Sequence, residues 1–235
     1  MPVTEHKFTA REQMLDALYA ALTAELERAL AAQASATLLL SGGSTPAPLY
    51  RRLASASLDW SRIDVALVDE RWVDADDAAS NERLLRETLL QGPAAAARFT
   101  GMKTSQPTAA AAVDDCNRRY AALPSPYCLC LLGMGSDGHT ASLFPGAEGL
   151  QPALGAKRHC AALRALPSAV TGDNLERMTM TPWGILQARK LVLLISGEDK
   201  WRIYREAGRA GASQALPVSL FLDQQRVPVE VYWAP

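Results

Sequence analysis

The chain has 235 residues, with 24 Lys and Arg against 25 Asp and Glu, and a formal net charge of −1. Apolar residues make up 49% of it, the composition of a globular protein with a substantial core, while near-neutrality gives no electrostatic reason to expect nucleic acid or an anionic membrane as partner. No apolar run approaches the roughly 18 residues needed to span a bilayer, and the polar start MPVTEHKFTAREQ lacks a signal-peptide core, so a cytoplasmic protein is expected.

The first element expected is an amphipathic helix over 10–33, because Met14, Leu18, Leu22, Leu26 and Leu30 recur at helical spacing. Thr9 and Glu12 before it form a capping-box pattern. Short apolar runs follow at Thr37–Leu40, Ile63–Val68, Tyr127–Leu132, Leu191–Ile195 and Val229–Trp233, with a weaker one at Cys160–Leu166. Most are apolar at nearly every position, as expected of strands covered on both faces of a parallel sheet. Helical segments intervene at about 46–56, 80–90, 108–122, 182–189 and 198–210. The alternation predicts a three-layer α/β/α sandwich around a mostly parallel, doubly wound sheet. No linker divides the chain, so 1–235 is read as one domain. Cys116, Cys128, Cys130 and Cys160 lack zinc-ligand spacing and read as buried, reduced thiols.

Ligands of open α/β sheets bind beyond the carboxyl ends of the strands, so the residues after each apolar run carry the functional reading. After the second expected element comes Ser41-Gly42-Gly43-Ser44-Thr45-Pro46. Its glycines allow close backbone approach, its hydroxyls can donate, and Pro46 suits the first position of a helix. It reads either as a phosphate cradle or as a tight turn with an ordinary cap. Asp69-Glu70-Arg71-Trp72 follows the next run, with Ser80 a candidate N-cap and Asn81 facing either solvent or a site. Asp69 and Arg71 suit a polyhydroxylated anion, or equally a surface ion-pair cluster.

The segment Gly133-Met-Gly135-Ser-Asp137-Gly138-His139 contains G-x-G-x-x-G. It lies past the middle of the chain, meets Pro145-Gly146 at once, puts Asp137 inside the turn, and has no acid about 20 residues on to hold a ribose. The dinucleotide reading therefore fails. Of the three histidines, His139 beside Asp137 is the one placed for proton transfer, against the commoner structural role of a lone histidine. Arg177, Thr179 and Thr181 alternate onto one face of an extended segment before Pro182. Lys200 sits in a helix's first turn, where a nearby anion would offset its unfavourable position on the dipole.

In order, SGGSTP (41–46), DERWV (69–73) with SN (80–81), GMGSDGHTASLFPG (133–146), RMTMT (177–181) and SGEDKW (196–201) resemble the 6-phosphogluconolactonases. These motifs span nearly the whole chain. The ending SLFPG differs from the Asn-Glu-Pro-Gly typical of the related glucosamine-6-phosphate deaminases, and Val73-Asp74 departs from the usual Val-Pro. The resemblance implies a sandwich fold shared with those deaminases, hydrolysis of 6-phosphoglucono-1,5-lactone, and no metal or organic cofactor. By position, it implies that His139 is the general base, with Asp137 orienting it and Arg71 beside the reacting group. Gly42, Gly43, Ser44, Thr45, Asp69, Asn81, Arg177 and Lys200 become candidate substrate or phosphate contacts. The expected partner is a small phosphosugar lactone, with neither nucleic acid nor membrane, and the expected assembly a monomer or homodimer. A deaminase using Asp69 as carbon base and a non-catalytic sugar-phosphate sensor are the competing readings.

Overall fold

In the computed structural model, which describes residues 3–235, the chain runs β1 (Val3–Lys7), α1 (Arg11–Ala32), β2 (Ala36–Leu40), α2 (Ala47–Leu53), β3 (Ile63–Leu67), β4 (Asp69–Arg71), α3 (Asn81–Thr88), β5 (Arg98–Thr100) and α4 (Ala109–Ala121). It continues through β6 (Leu129–Leu132), α5 (Leu150–Gly155), β7 (Cys160–Arg164), β8 (Glu176–Met180), α6 (Pro182–Ile185), β9 (Leu191–Ser196), α7 (Glu198–Ala210), α8 (Ser219–Asp223) and β10 (Val229–Ala234).

The five strongly apolar runs become the five interior strands of a seven-stranded parallel sheet, ordered β1-β10-β9-β6-β2-β3-β5. Helices flank the sheet and cover most of its interior; β2 and β3 are buried at every position, while β10 keeps Glu230 and Trp233 half-buried. The two edge strands, β1 and β5, were not foreseen. The weaker run at 160–166 does form a strand, but β7 belongs to a separate antiparallel sheet, β4-β8-β7.

α1 buries Met14, Leu18, Leu22 and Leu26 as its periodicity requires. The expected capping box does not form. The helix begins one residue later, with Ala10 at the N-cap and no side-chain cap, and the Thr9 hydroxyl instead donates to Gln13 Oε1 at 3.0 Å. Ser80 and Thr181 do cap, accepting from Arg83 N–H and Gly184 N–H, and Pro182 takes the first helical position. All four cysteines are buried and free.

The sheet order reverses between β2 and β6. From β2 the chain proceeds to β3 and β5 on one side, and from β6 to β9 and β10 on the other. Such a switch point opens a crevice at the carboxyl ends of the two neighbouring strands. Leu40 pairs with Leu131, and Ser41 N–H donates to Leu131 O at 3.1 Å. The loops 41–46 and 133–139 therefore leave the sheet side by side.

Candidate active site

A cavity of about 500 Å³ lies at this switch point, within the range usual for small-molecule sites. Its walls include Gly42, Gly43, Ser44 and Thr45 after β2, Asp69 and Arg71 on β4, and Asn81 opening α3. His139 after β6 and Lys200 in α7 add further polar groups, with Ala141, Ala169, Val170 and Leu194 among the apolar ones.

The loop after β2 is held from below and open above. Tyr50 of α2 donates its hydroxyl to Ser41 O at 2.6 Å, which fixes the start of the turn. The backbone N–H groups of residues 42–45, and the Ser44 and Thr45 hydroxyls, have no protein partner among the described residues. Unpaired donors on a cavity wall are suited to an anion. Lys200 faces the same cavity with no ion-pair partner among the described residues. Burial lowers its pKa, and the Asp137 charge acts in the opposite direction.

His139 stands on the glycine-rich loop. Its Nδ1 is 2.5 Å from Asp137 Oδ1, and its backbone N–H donates to the same oxygen at 3.2 Å. An ionised carboxylate only accepts, so this contact assigns the proton to Nδ1 and leaves Nε2 as the basic nitrogen. Burial raises the Asp137 carboxyl, but its hydrogen bonds from His139 and the electrostatic attraction of that ring outweigh this and hold it below its ordinary value. The Phe144 ring packs on the imidazole with centroids 4.1 Å apart. A β-carbon on Gly135 would overlap both His139 Nδ1 and Asp137 Oδ1, and Gly138 turns the chain with φ +77°. The glycines that mimic a nucleotide fingerprint thus make room for an acid–base pair.

Asp69 Oδ2 accepts from the Ser142 hydroxyl at 2.6 Å, and Thr179 Oγ1 accepts from Ser142 N–H at 3.1 Å. Asn81 faces the site, not solvent: its Nδ2 donates to Asp69 O at 2.9 Å. Arg71 donates from Nη1 to Ala79 O. Two candidates lie outside the lining: Asp137, which reaches the cavity only through His139, and Arg177. Arg177 is 2% exposed and sits behind the wall, so no part of it lines the cavity. Burial, then the nearby Arg71 charge, lower its pKa to about 10.

Sequence reasoning missed Glu70. Its carboxylate, 1% exposed as a residue, accepts from the backbone N–H groups of Arg71 (2.9 Å), Asn81 (2.7 Å) and Glu82 (2.8 Å), and from the Ser80 hydroxyl (3.1 Å). It ties β4 to the start of α3 and so fixes two cavity residues together. Burial, aided by the Asp69 charge, pushes it up to about 7 against the pull of those donors. Its position on a strand end just before a capped helix was the available signal.

Among the described residues, no group of three or more His, Cys, Asp or Glu side chains is arranged to hold a metal ion, and no helix is long and apolar enough to cross a membrane.

The family described as glucosamine-6-phosphate isomerases/6-phosphogluconolactonase matches residues 9–233. A 6-phosphogluconolactonase of Rhizobium meliloti is 37% identical over 235 residues, covering 100% of both chains. One of Pseudomonas aeruginosa is 38% identical over 219 residues, covering 93% of this chain and 89% of its own. The crystal structure of a 6-phosphogluconolactonase from Shewanella baltica superposes with a TM-score of 0.93 at 36% identity, covering 99% of this chain and 98% of that one.

Proposed function

The chain belongs to the glucosamine-6-phosphate isomerase/6-phosphogluconolactonase family, and from that premise we infer that it hydrolyses 6-phosphoglucono-1,5-lactone to 6-phosphogluconate, the second step of the oxidative pentose phosphate pathway. The observation that carries the mechanism is one cavity lined by His139, whose Nδ1 Asp137 holds from outside the lining, together with an unpaired donor set at 42–45 and Lys200. The donors and Lys200 bind the phosphate, and that remote anchor orients the lactone ring.

His139 Nε2 takes a proton from water as its oxygen attacks the lactone carbonyl carbon. Asp137 stabilises the imidazolium that results. The carbonyl oxygen becomes an oxyanion, with Arg71 the nearby cation on the wall. Collapse breaks the bond from carbonyl carbon to ring oxygen, and His139 returns its proton to that oxygen. The carboxylic acid formed then ionises. A ring ester needs no covalent nucleophile, and general-base assistance on the order of 10²–10⁴-fold meets the demand. Asp69 and Asn81 contact ring hydroxyls, and residues 1–235 act as one lactonase domain, a reading supported by the single apolar core from Met14 to Ala234; the working assembly is a monomer or homodimer.

The test is to generate the lactone in situ and follow its loss against the uncatalysed background, with release of ammonia from glucosamine 6-phosphate as the parallel assay. Lactone loss at the background rate, accompanied by ammonia release, would move the chain to the deaminase side of its family.

A further inference from the structure

Arg177 is a buried cation without an acidic partner. It lies on β8, cross-strand from Arg71; the Asp69 and Glu70 charges act on it from a distance, but no carboxylate is within ion-pair reach among the described residues. Backbone carbonyls hold it instead: Nη2 donates to Thr171 O at 3.0 Å and Nη1 to Glu176 O at 3.4 Å, while the guanidinium carbon stands 5.6 Å from the Phe144 ring centroid. Desolvating a guanidinium for such contacts is unfavourable by itself. The arrangement acquires a purpose from what Thr171 belongs to.

Thr171 lies in the loop between β7 and β8, whose first half is bonded to itself. Its hydroxyl donates to Leu166 O at 2.8 Å and accepts from Ser168 N–H at 2.9 Å. The N–H groups of Val170 and Thr171 donate to Ser168 Oγ at 3.2 and 3.1 Å, and Gly172 N–H to Ser168 O at 3.0 Å. Segment 166–172 is therefore a compact unit rather than a floppy strap, and it presents Ala169 and Val170 to the cavity. Leu166 and Val170, at 56% and 40% exposure, are the large apolar side chains left exposed among the described residues. An apolar side chain held at a cavity mouth is suited to the C–H face of a sugar ring, whose burial would remove it from water.

We propose that Arg177 is a positioning residue, which acts through the Thr171 carbonyl to seat the 166–172 loop over the cavity, and that Val170 on this loop is the wall against which the substrate's ring packs. The ring reading rests on the lactonase function, whereas the seating of the loop does not. Arg177 leaves the substrate's phosphate to Lys200 and the 42–45 donors. The planar guanidinium reaches two carbonyls at once, which an ammonium on a flexible stem does not reproduce.

The full chain carrying Arg177→Met, Val170→Gly or Lys200→Ala tests this with three measurements: inhibition or binding by inorganic phosphate, amide hydrogen exchange across 166–172, and lactone kinetics. Arg177→Met is expected to leave the phosphate constant within about twofold, speed exchange of the loop by about tenfold or more, and raise KM for the lactone several-fold. Lys200→Ala is expected to weaken phosphate by about tenfold while leaving loop exchange alone. Phosphate binding that falls as far in Arg177→Met as in Lys200→Ala would make Arg177 a direct ligand and overturn the proposal, as would unchanged loop exchange. If Arg177→Met does not fold, Val170→Gly decides, with a raised KM at constant phosphate affinity supporting the wall and an unchanged KM overturning it. Phosphate binding and exchange need no lactone, so absence of lactone turnover in the parent would count against the enzymatic reading separately.

Discussion

The side-chain amide of Asn81 fills the space that a β-carbon on Gly42 would need. The same amide donates to Asp69 O at 2.9 Å, so three separate segments of the cavity wall interlock where glycine lacks an atom. Gly42→Ala is expected to push Asn81 aside, destabilise the fold by about 1–3 kcal/mol, and raise KM. Adding Asn81→Ala should recover most of the stability but not the KM. Urea denaturation and steady-state kinetics on the four members of the cycle check this; a single Gly42→Ala variant with the parent's midpoint and KM would refute the interlock.

His139→Ala is expected to lower kcat by roughly 10²–10⁴-fold with inorganic phosphate affinity unchanged. Asp137→Asn should lower kcat by a smaller factor, because the amide no longer enforces a proton on Nδ1 across the 2.5 Å contact. Near-parental turnover by His139→Ala would remove that residue from the mechanism.

Lys200→Ala or Thr45→Ala is expected to raise KM with little change in kcat, since each removes a group that binds the phosphate equally before and during reaction. Loss of a charged hydrogen bond of about 1.5–3 kcal/mol corresponds to roughly 10- to 150-fold for Lys200, and less for the neutral hydroxyl. A fall in kcat at constant KM would place either group at the reacting centre instead.

Glu70 predicts a pH dependence of stability. Its carboxyl is raised from 4.5 to about 7 in the folded chain, so the folded state binds the proton more tightly than the unfolded one. This contribution is fully present below the unfolded value near 4.5 and is lost as pH rises through about 7. Glu70→Gln is expected to remove that decline. The difference in unfolding free energy between parent and variant, followed by denaturation from pH 4 to 8, should slope by up to about one proton in the window. Parallel curves would mean that Glu70 titrates normally. Because a neutral amide would turn its NH2 toward backbone donors, Glu70→Gln should also loosen Arg71 and Asn81 and lower kcat/KM.

The interior of the sheet was legible because strands covered on both faces are apolar at most positions, with polar exceptions such as Asp64, which Arg98 pairs. β1, with Glu5, His6 and Lys7, and β5, opening on Arg98, lie at the edges and keep water on one side, so they carry no such signal. Strand-end loops likewise announced most of the cavity, since Ser44, Thr45, Asp69, Arg71 and His139 are polar groups at the ends of apolar runs. Arg177 and Glu70 were harder. An arginine's charge says it needs a partner but not whether that partner is a ligand or a backbone carbonyl, and Glu70 among Asp69 and Arg71 looks like one more surface charge until its four donors are seen. Ala169 and Val170 are invisible for the opposite reason, being small apolar residues in a loop whose position depends on Arg177. Thr9 failed as a cap because the pattern fits its spacing while the helix begins one residue later.

The parallel pairing of β1 with β10, Val3 opposite Val229 through Lys7 opposite Trp233, sets an order on biosynthesis. Among the described strands, the first in chain order is bonded to the last. While β2, β3 and β6 have partners within reach of one another, β1 must wait for β10 to be translated before its edge of the sheet exists. Through that interval it is a nascent segment with open backbone donors and acceptors. Glu5 and Lys7 give it charged rather than apolar side chains, which discourage a wrong strand from a neighbouring nascent chain.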